Sequence, residues 1–116
     1  MQTVAEKIKA EALATKERSV GDKKGGCVLC SREGKLYSGF YVEFDGLVIT
    51  PLDMALSLAL GDKAERFTAA YFCGEAYNPS SLKRLLQFGD ILVSGEKDGK
   101  EFKATLKKLI LALGER

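Results

Sequence analysis

Apolar residues recur at two different spacings along this chain, and the changes of spacing mark its elements. Val4, Ile8 and Ala12 fall on one helical face, with Glu6, Lys7, Lys9 and Glu11 elsewhere, which predicts an amphipathic surface helix from the N-terminus to about Arg18. After Gly25-Gly26, the apolar run Cys27-Val28-Leu29-Cys30, the turn residues Ser31-Arg32-Glu33-Gly34 and a second run predict a β-hairpin. In that second run Leu36, Ser38, Phe40, Val42 and Phe44 alternate with Tyr37, Gly39, Tyr41 and Glu43, and the first set is expected to face the core.

Thr50-Pro51-Leu52-Asp53 reads as a helix start, with threonine as N-cap, proline at the first helical position and aspartate placed to complete a capping box. This helix is expected to run to Leu60 with Gly61 at its C-cap. Leu52, Met54, Ala55, Leu56, Leu58, Ala59 and Leu60 cover nearly every face of it, so it is expected to be a buried central helix. Phe67 to Cys73 reads as a strand, and Asn78-Pro79 opens a helix with Leu82, Leu85 and Leu86 that stops at Gly89. Ile91-Leu92-Val93 is a short strand and Glu96 to Lys100 a polar turn. Phe102, Leu106, Leu109, Ile110 and Leu113 then predict a C-terminal amphipathic helix. The expected order is α-β-β-α-β-α-β-α, a layered α/β fold with a mixed sheet covered by helices, in a single domain over residues 1–116.

Composition narrows the function. Lysine and arginine number 18 against 16 aspartate and glutamate, and the basic residues are scattered, which argues against a nucleic-acid arm. The aromatic residues Tyr37, Phe40, Tyr41 and Phe44 read as strand residues rather than a stacking platform, so nucleic acid is not an expected partner. The apolar stretch Leu52 to Leu60 is far shorter than the roughly 20 residues of a membrane span, and no secretory signal is visible at Met1-Gln2-Thr3-Val4, so a cytoplasmic location without membrane contact is expected.

Three cysteines and no histidine leave little for a metal or a nucleophile. Cys27 and Cys30 have C-x-x-C spacing, but on a strand their side chains point to opposite faces, so all three thiols read as core residues. Cys73 before Gly74-Glu75 offers a thiol and a carboxylate with no histidine base to activate the sulfur.

The order of several short motifs resembles the small homotetrameric cytidine deaminases, over about Gly25 to Gly114. Gly26-Cys27-Val28-Leu29 and Glu33 to Gly39 resemble the first hairpin of that family. Gly39-Phe40-Tyr41-Val42-Glu43 stands where the family has G-x-N-V-E. Leu52-Asp53-Met54 stands at the C-A-E motif, Phe67 to Tyr71 at the next strand, Asn78 to Arg84 at P-C-x-x-C-R, and Thr105 to Leu109 at the closing T-L-x-E-L-L helix.

Zinc deamination needs three fixed ligands, an open position for water and a glutamate that moves protons. The resemblance puts Leu52 at the first cysteine ligand, Met54 at the glutamate, and Ser80 and Lys83 at the other two cysteines. It therefore implies the fold without the zinc chemistry, no cofactor and no metal. Glu43 falls where the family binds ribose hydroxyls, although Tyr41 replaces the neighbouring asparagine. Helix starts near Thr50 and Asn78, with Ser80, Ser81 and Lys83 beside them, suggest a nucleoside, nucleotide or phosphate ligand. A homo-oligomer, dimer or tetramer, acting structurally is the other expectation. The alternative is an active cytidine deaminase or another hydrolase with a relocated site.

Overall fold

A computed structural model describes residues 3–114; Met1 and Gln2, which open the sequence, lie outside the described residues, as do Glu115 and Arg116. Helix α1 (Val4–Lys16) starts at a capping box in which Thr3 accepts from the Glu6 amide and Glu6 accepts from the Thr3 amide. Ile8, Ala12 and Thr15 form its buried face, whereas Val4 stays 66% exposed, one turn beyond the edge of that face.

The central sheet runs in the order β2-β1-β5-β6-β7. Its strands are β1 (Gly25–Ser31), β2 (Leu36–Phe40), β5 (Phe67–Gly74), β6 (Leu92–Lys97) and β7 (Lys100–Thr105). Among the described residues of this sheet, β5 and β6 pair in parallel, joined across helix α3 (Pro79–Leu86), and the other neighbours are antiparallel. Strand β1 is buried along its whole length, because helices cover both faces of the sheet. Its alternation sorts the two cores. Val28 and Cys30 join Ile8, Ala12, Tyr71 and Cys73 under α1. Cys27 and Leu29 join Phe72 and Val93 on the other side, beneath helices α2 (Pro51–Gly61), α3 and α4 (Leu106–Gly114).

The layered α/β architecture stands, and the element order gains strands. The second apolar run does not continue through Tyr41. There the chain leaves the sheet, with the Tyr41 amide donating to the Gly25 carbonyl at 3.2 Å and its carbonyl accepting from Val20 at 2.8 Å. Strands β3 (Val42–Phe44) and β4 (Leu47–Ile49) then form a separate hairpin around Asp45 and Gly46, both at positive φ. Phe102 lies on β7 rather than on the C-terminal helix, paired with Gly95 across a second Asp-Gly turn at Asp98 and Gly99.

The expected faces of β2 are also reversed. Tyr37, Gly39 and Tyr41 are buried, while Leu36 is 41% and Phe44 68% exposed. Helix α2 explains this: a Cβ on Gly39 would sit 2.0 Å from the Pro51 carbonyl oxygen, so only glycine admits the helix this close to the sheet. Helix α2 is itself less enclosed than its composition suggests, since Leu58 and Leu60 are 52% and 58% exposed. Its C-cap is Asp62, one residue beyond Gly61. Among the described residues, no helix is long and apolar enough to cross a membrane.

Candidate functional site

The starts of α2 and α3 are linked through the Leu52–Ala76 hydrogen bond and the Asp53–Arg84 ion pair, and each is capped from within the chain. At α2, the Thr50 hydroxyl accepts from the Asp53 amide at 3.2 Å and Pro51 brings no N–H. The Leu52 amide donates to the Ala76 carbonyl at 2.9 Å and the Met54 amide to the Thr50 carbonyl at 3.0 Å. At α3, Asn78 and Ser81 form a reciprocal capping box: Ser81 N donates to Asn78 Oδ1 at 2.7 Å, and Asn78 N donates to Ser81 Oγ at 2.9 Å. The Ser81 hydroxyl also donates to the Asn78 carbonyl. Both helices thus spend their caps on their own amides, and Thr50 and Ser81 are buried.

On the α2 side of these starts the side chains are apolar or committed. Leu52 is fully buried in the core, and half-buried Met54 turns its sulfur to the edge of β2, where Sδ accepts from the Phe40 amide at 3.4 Å. Asp53 does not complete a capping box as its position suggested. Its carboxylate instead takes a forked contact from Arg84 on α3. Ser80 is exposed on the first turn of α3. Lys83 is exposed too, and it lines a cavity shared with Ile110, Leu111, Leu113 and Gly114 of α4.

The remaining candidates lie at the β2–β3 junction. Tyr41 is buried, with the Lys23 ammonium 6.0 Å from its ring centre. Glu43 is exposed on β3, its amide donating to the Val20 carbonyl, and among the described residues its carboxylate has no hydrogen-bond or ion-pair partner. The structure therefore joins Thr50, Leu52 and Met54 to the α3 end through the Leu52–Ala76 and Asp53–Arg84 links, and leaves Glu43 on the hairpin.

A hydrocarbon, a thioether, a neutral hydroxyl and an ammonium do not make a donor set for zinc, whose protein ligands are thiolate, imidazole and carboxylate. Among the described residues, no three cysteine, aspartate or glutamate side chains converge where a metal ion would be held. The thiols are buried and free. Cys73 donates weakly to the Ala12 and Gly26 carbonyls, and burial pushes both the Cys27 and Cys73 thiols above the ordinary value, so neither is a ready nucleophile.

Two polar contacts had no sequence signal. One is Asp53–Arg84; the other lies at the far end of α2, where the Tyr37 hydroxyl and the Lys35 ammonium both donate to Asp62 Oδ2, at 2.6 and 2.8 Å.

No protein-family profile matches the chain, and comparison with curated proteins gives no significant match. Solved structures do match. The cytidine deaminase of Burkholderia pseudomallei superposes with a TM-score of 0.77 at 22% identity, over 94% of this chain and 96% of that one. That of Mycobacterium leprae gives 0.72 at 18% identity, over 93% and 98%, and that of Mycobacterium tuberculosis 0.74 at 13%, over 93% and 94%. The chain has the cytidine deaminase fold.

Proposed function

We propose that this chain is a non-catalytic cytidine-deaminase-like protein that acts as a self-assembling structural or interaction module, without zinc-hydroxide deamination. The observation that carries the reading is the filling of the α2 start: Leu52 is fully buried and Met54 is bonded through sulfur to a strand edge. In the resemblance drawn above, those positions belong to a metal ligand and to the proton-carrying glutamate. Neither side chain can do that work. Lys83, at another ligand position, would repel a divalent cation.

A phosphate at the helix starts has little left to bind it, because the Thr50 and Ser81 hydroxyls already hold backbone amides. Assembly has more in its favour. The β3–β4 hairpin has strands of three residues each, too short to be stable alone, and it presents Phe44, Leu47 and Val48 at 68%, 53% and 52% exposure. Another copy of the chain covering these residues, with the exposed Leu58 and Leu60 of α2, would remove apolar surface from water in a homo-oligomer.

The test combines zinc content, cytidine turnover and solution mass on purified protein. A zinc-free dimer or tetramer with no turnover is the expected result. Stoichiometric zinc with turnover overturns the first half of the reading, and a monodisperse monomer overturns the second.

A further inference from the structure

Helices α3 and α4 enclose a surface cavity of about 500 Å³ that the reading above does not use. It is lined by Pro79 and Lys83 of α3 and by Ile110, Leu111, Leu113 and Gly114 of α4. The volume falls within the roughly 300–1,000 Å³ of small-molecule sites. Among the described residues, Lys83 is the one charged residue of the lining and no acidic residue joins it. Among the described residues Lys83 forms no ion pair. Its four-carbon stem can lie along the apolar wall with the ammonium at the mouth.

We propose that this cavity binds a small amphiphilic anion, a carboxylate carried on a short hydrocarbon body. Charge complementarity selects the ligand. The apolar wall rewards a hydrocarbon body, and Leu111, 65% exposed, gains most from being covered. A single ammonium with no ion-pair partner among the described residues rewards one anionic head. A neutral hydrocarbon leaves that cation unused, and an inorganic anion leaves the wall wet. The proposal shares Lys83 with the non-catalytic reading but none of Thr50, Leu52 or Met54, and it rests on the α3–α4 cavity rather than on the filled α2 start.

Amide shifts of the full-length ¹⁵N-labelled chain, titrated with sodium octanoate below its aggregation concentration, test this. Saturable shifts are expected at Lys83 and from Ile110 to Gly114. Octanol, which has the body without the charge, is expected to bind about tenfold more weakly, and acetate to give no saturable shift. Lys83→Met, which keeps the stem and removes the charge, is expected to lower octanoate affinity about tenfold and leave octanol unchanged. Absent or non-saturating octanoate shifts overturn the proposal. So does equal binding of octanoate and octanol, which would make the cavity a plain apolar hole. Zinc content and cytidine turnover are read separately, so failure of one proposal does not disguise failure of the other.

Discussion

Arg84 on α3 grips Asp53 on the first turn of α2 in a fork, with Nη2 2.9 Å from both carboxylate oxygens and Nε 3.1 Å from one of them. The pair ties together the two helices whose starts form the candidate site. Their side chains are 55% and 30% exposed, so solvent screens the attraction, and the two-pronged geometry puts it at the upper end of surface ion pairs. A double-mutant cycle with Asp53→Asn and Arg84→Gln is expected to give a coupling of about 1 kcal/mol that shrinks in high salt. Arg84→Lys should recover less than half of it, since an ammonium cannot reproduce the fork. A coupling indistinguishable from zero means that the pair does not hold the helices.

Asp62 makes stability depend on pH in the acid range. Hydrogen bonds from Lys35 and Tyr37, helped by the charge of Lys35, hold its carboxyl below the ordinary value of 3.8. A lowered folded pKa gives stability that is fully present above pH 3.8 and is lost as pH falls through the folded value. Tyr37 is the reverse case. The bond to Asp62, then burial, raises it above 10.0, so its contribution is present below pH 10.0 and lost as pH rises through the folded value. Asp62→Asn is expected to flatten the fall in melting temperature on acidification, and Tyr37→Phe the fall above pH 10.0. Unchanged slopes in both variants reject the cluster as a stabilising contact.

Close approach of α2 to the sheet at Gly39 sets a third expectation. A methyl group there meets backbone, 2.0 Å from the Pro51 carbonyl oxygen and 2.9 Å from the Ala55 amide nitrogen, and neither can swing aside. Gly39→Ala is expected to destabilise the chain by about 3 kcal/mol, the upper part of the range for overpacking. Denaturant unfolding measures it. A loss under about 0.5 kcal/mol, the level of an ordinary surface substitution, means that α2 can shift outward at little cost.

Tyr71 offers a substitution that should help. Its ring packs under α1, and its hydroxyl is buried with no hydrogen-bond partner among the described residues. Removing an unsatisfied buried hydroxyl while keeping the ring should stabilise the fold, so Tyr71→Phe is expected to raise stability by about 1 kcal/mol. A clear loss of stability instead shows that the hydroxyl is bonded in solution, for example through an ordered water.

The features that the sequence revealed are those with a local cause. Thr50-Pro51 and Asn78-Pro79 start helices because a cap and a proline act within one turn, and β1 shows as the unbroken apolar run Cys27 to Cys30, as a strand covered on both faces does. The reversed faces of β2 have no local cause. Its glycine faces a helix that arrives from further along the chain, while the large Leu36 and Phe40 lie outward, with Arg18 stacked 4.7 Å from the Phe40 ring centre. The β3–β4 hairpin carries a local signal, Asp45-Gly46, set between apolar residues that otherwise run on from β2. Strand β7 is hidden in the sequence because Phe102 stands at helical spacing from Leu106 and Leu109. At the candidate site, the composition of the helix starts was legible. The partners that fill them were not, because Arg84 meets Asp53 across 31 residues and Tyr37 meets Asp62 across 25.

Assignment of Leu52, Ser80 and Lys83 to ligand positions can be tested by building the ligands. Ser80 and Lys83 are three residues apart on α3, hence on neighbouring parts of one face, and Leu52 sits in the first turn of α2, its amide held by Ala76 just before α3. If these positions converge, the triple variant Leu52→Cys, Ser80→Cys, Lys83→Cys gains three thiolates with one coordination position left open, the pattern of a catalytic zinc site. One zinc per chain is expected, released by a chelating dye, and none from the unsubstituted protein or from any single variant. Thiolate ligation also lowers thiol pKa, so zinc should be lost on acidification. Adding Met54→Glu should leave zinc content unchanged, because the glutamate of zinc deaminases does not ligate the metal. A folded triple variant that binds no zinc would show that the three positions do not converge, and would withdraw the argument that a metal site has been replaced here.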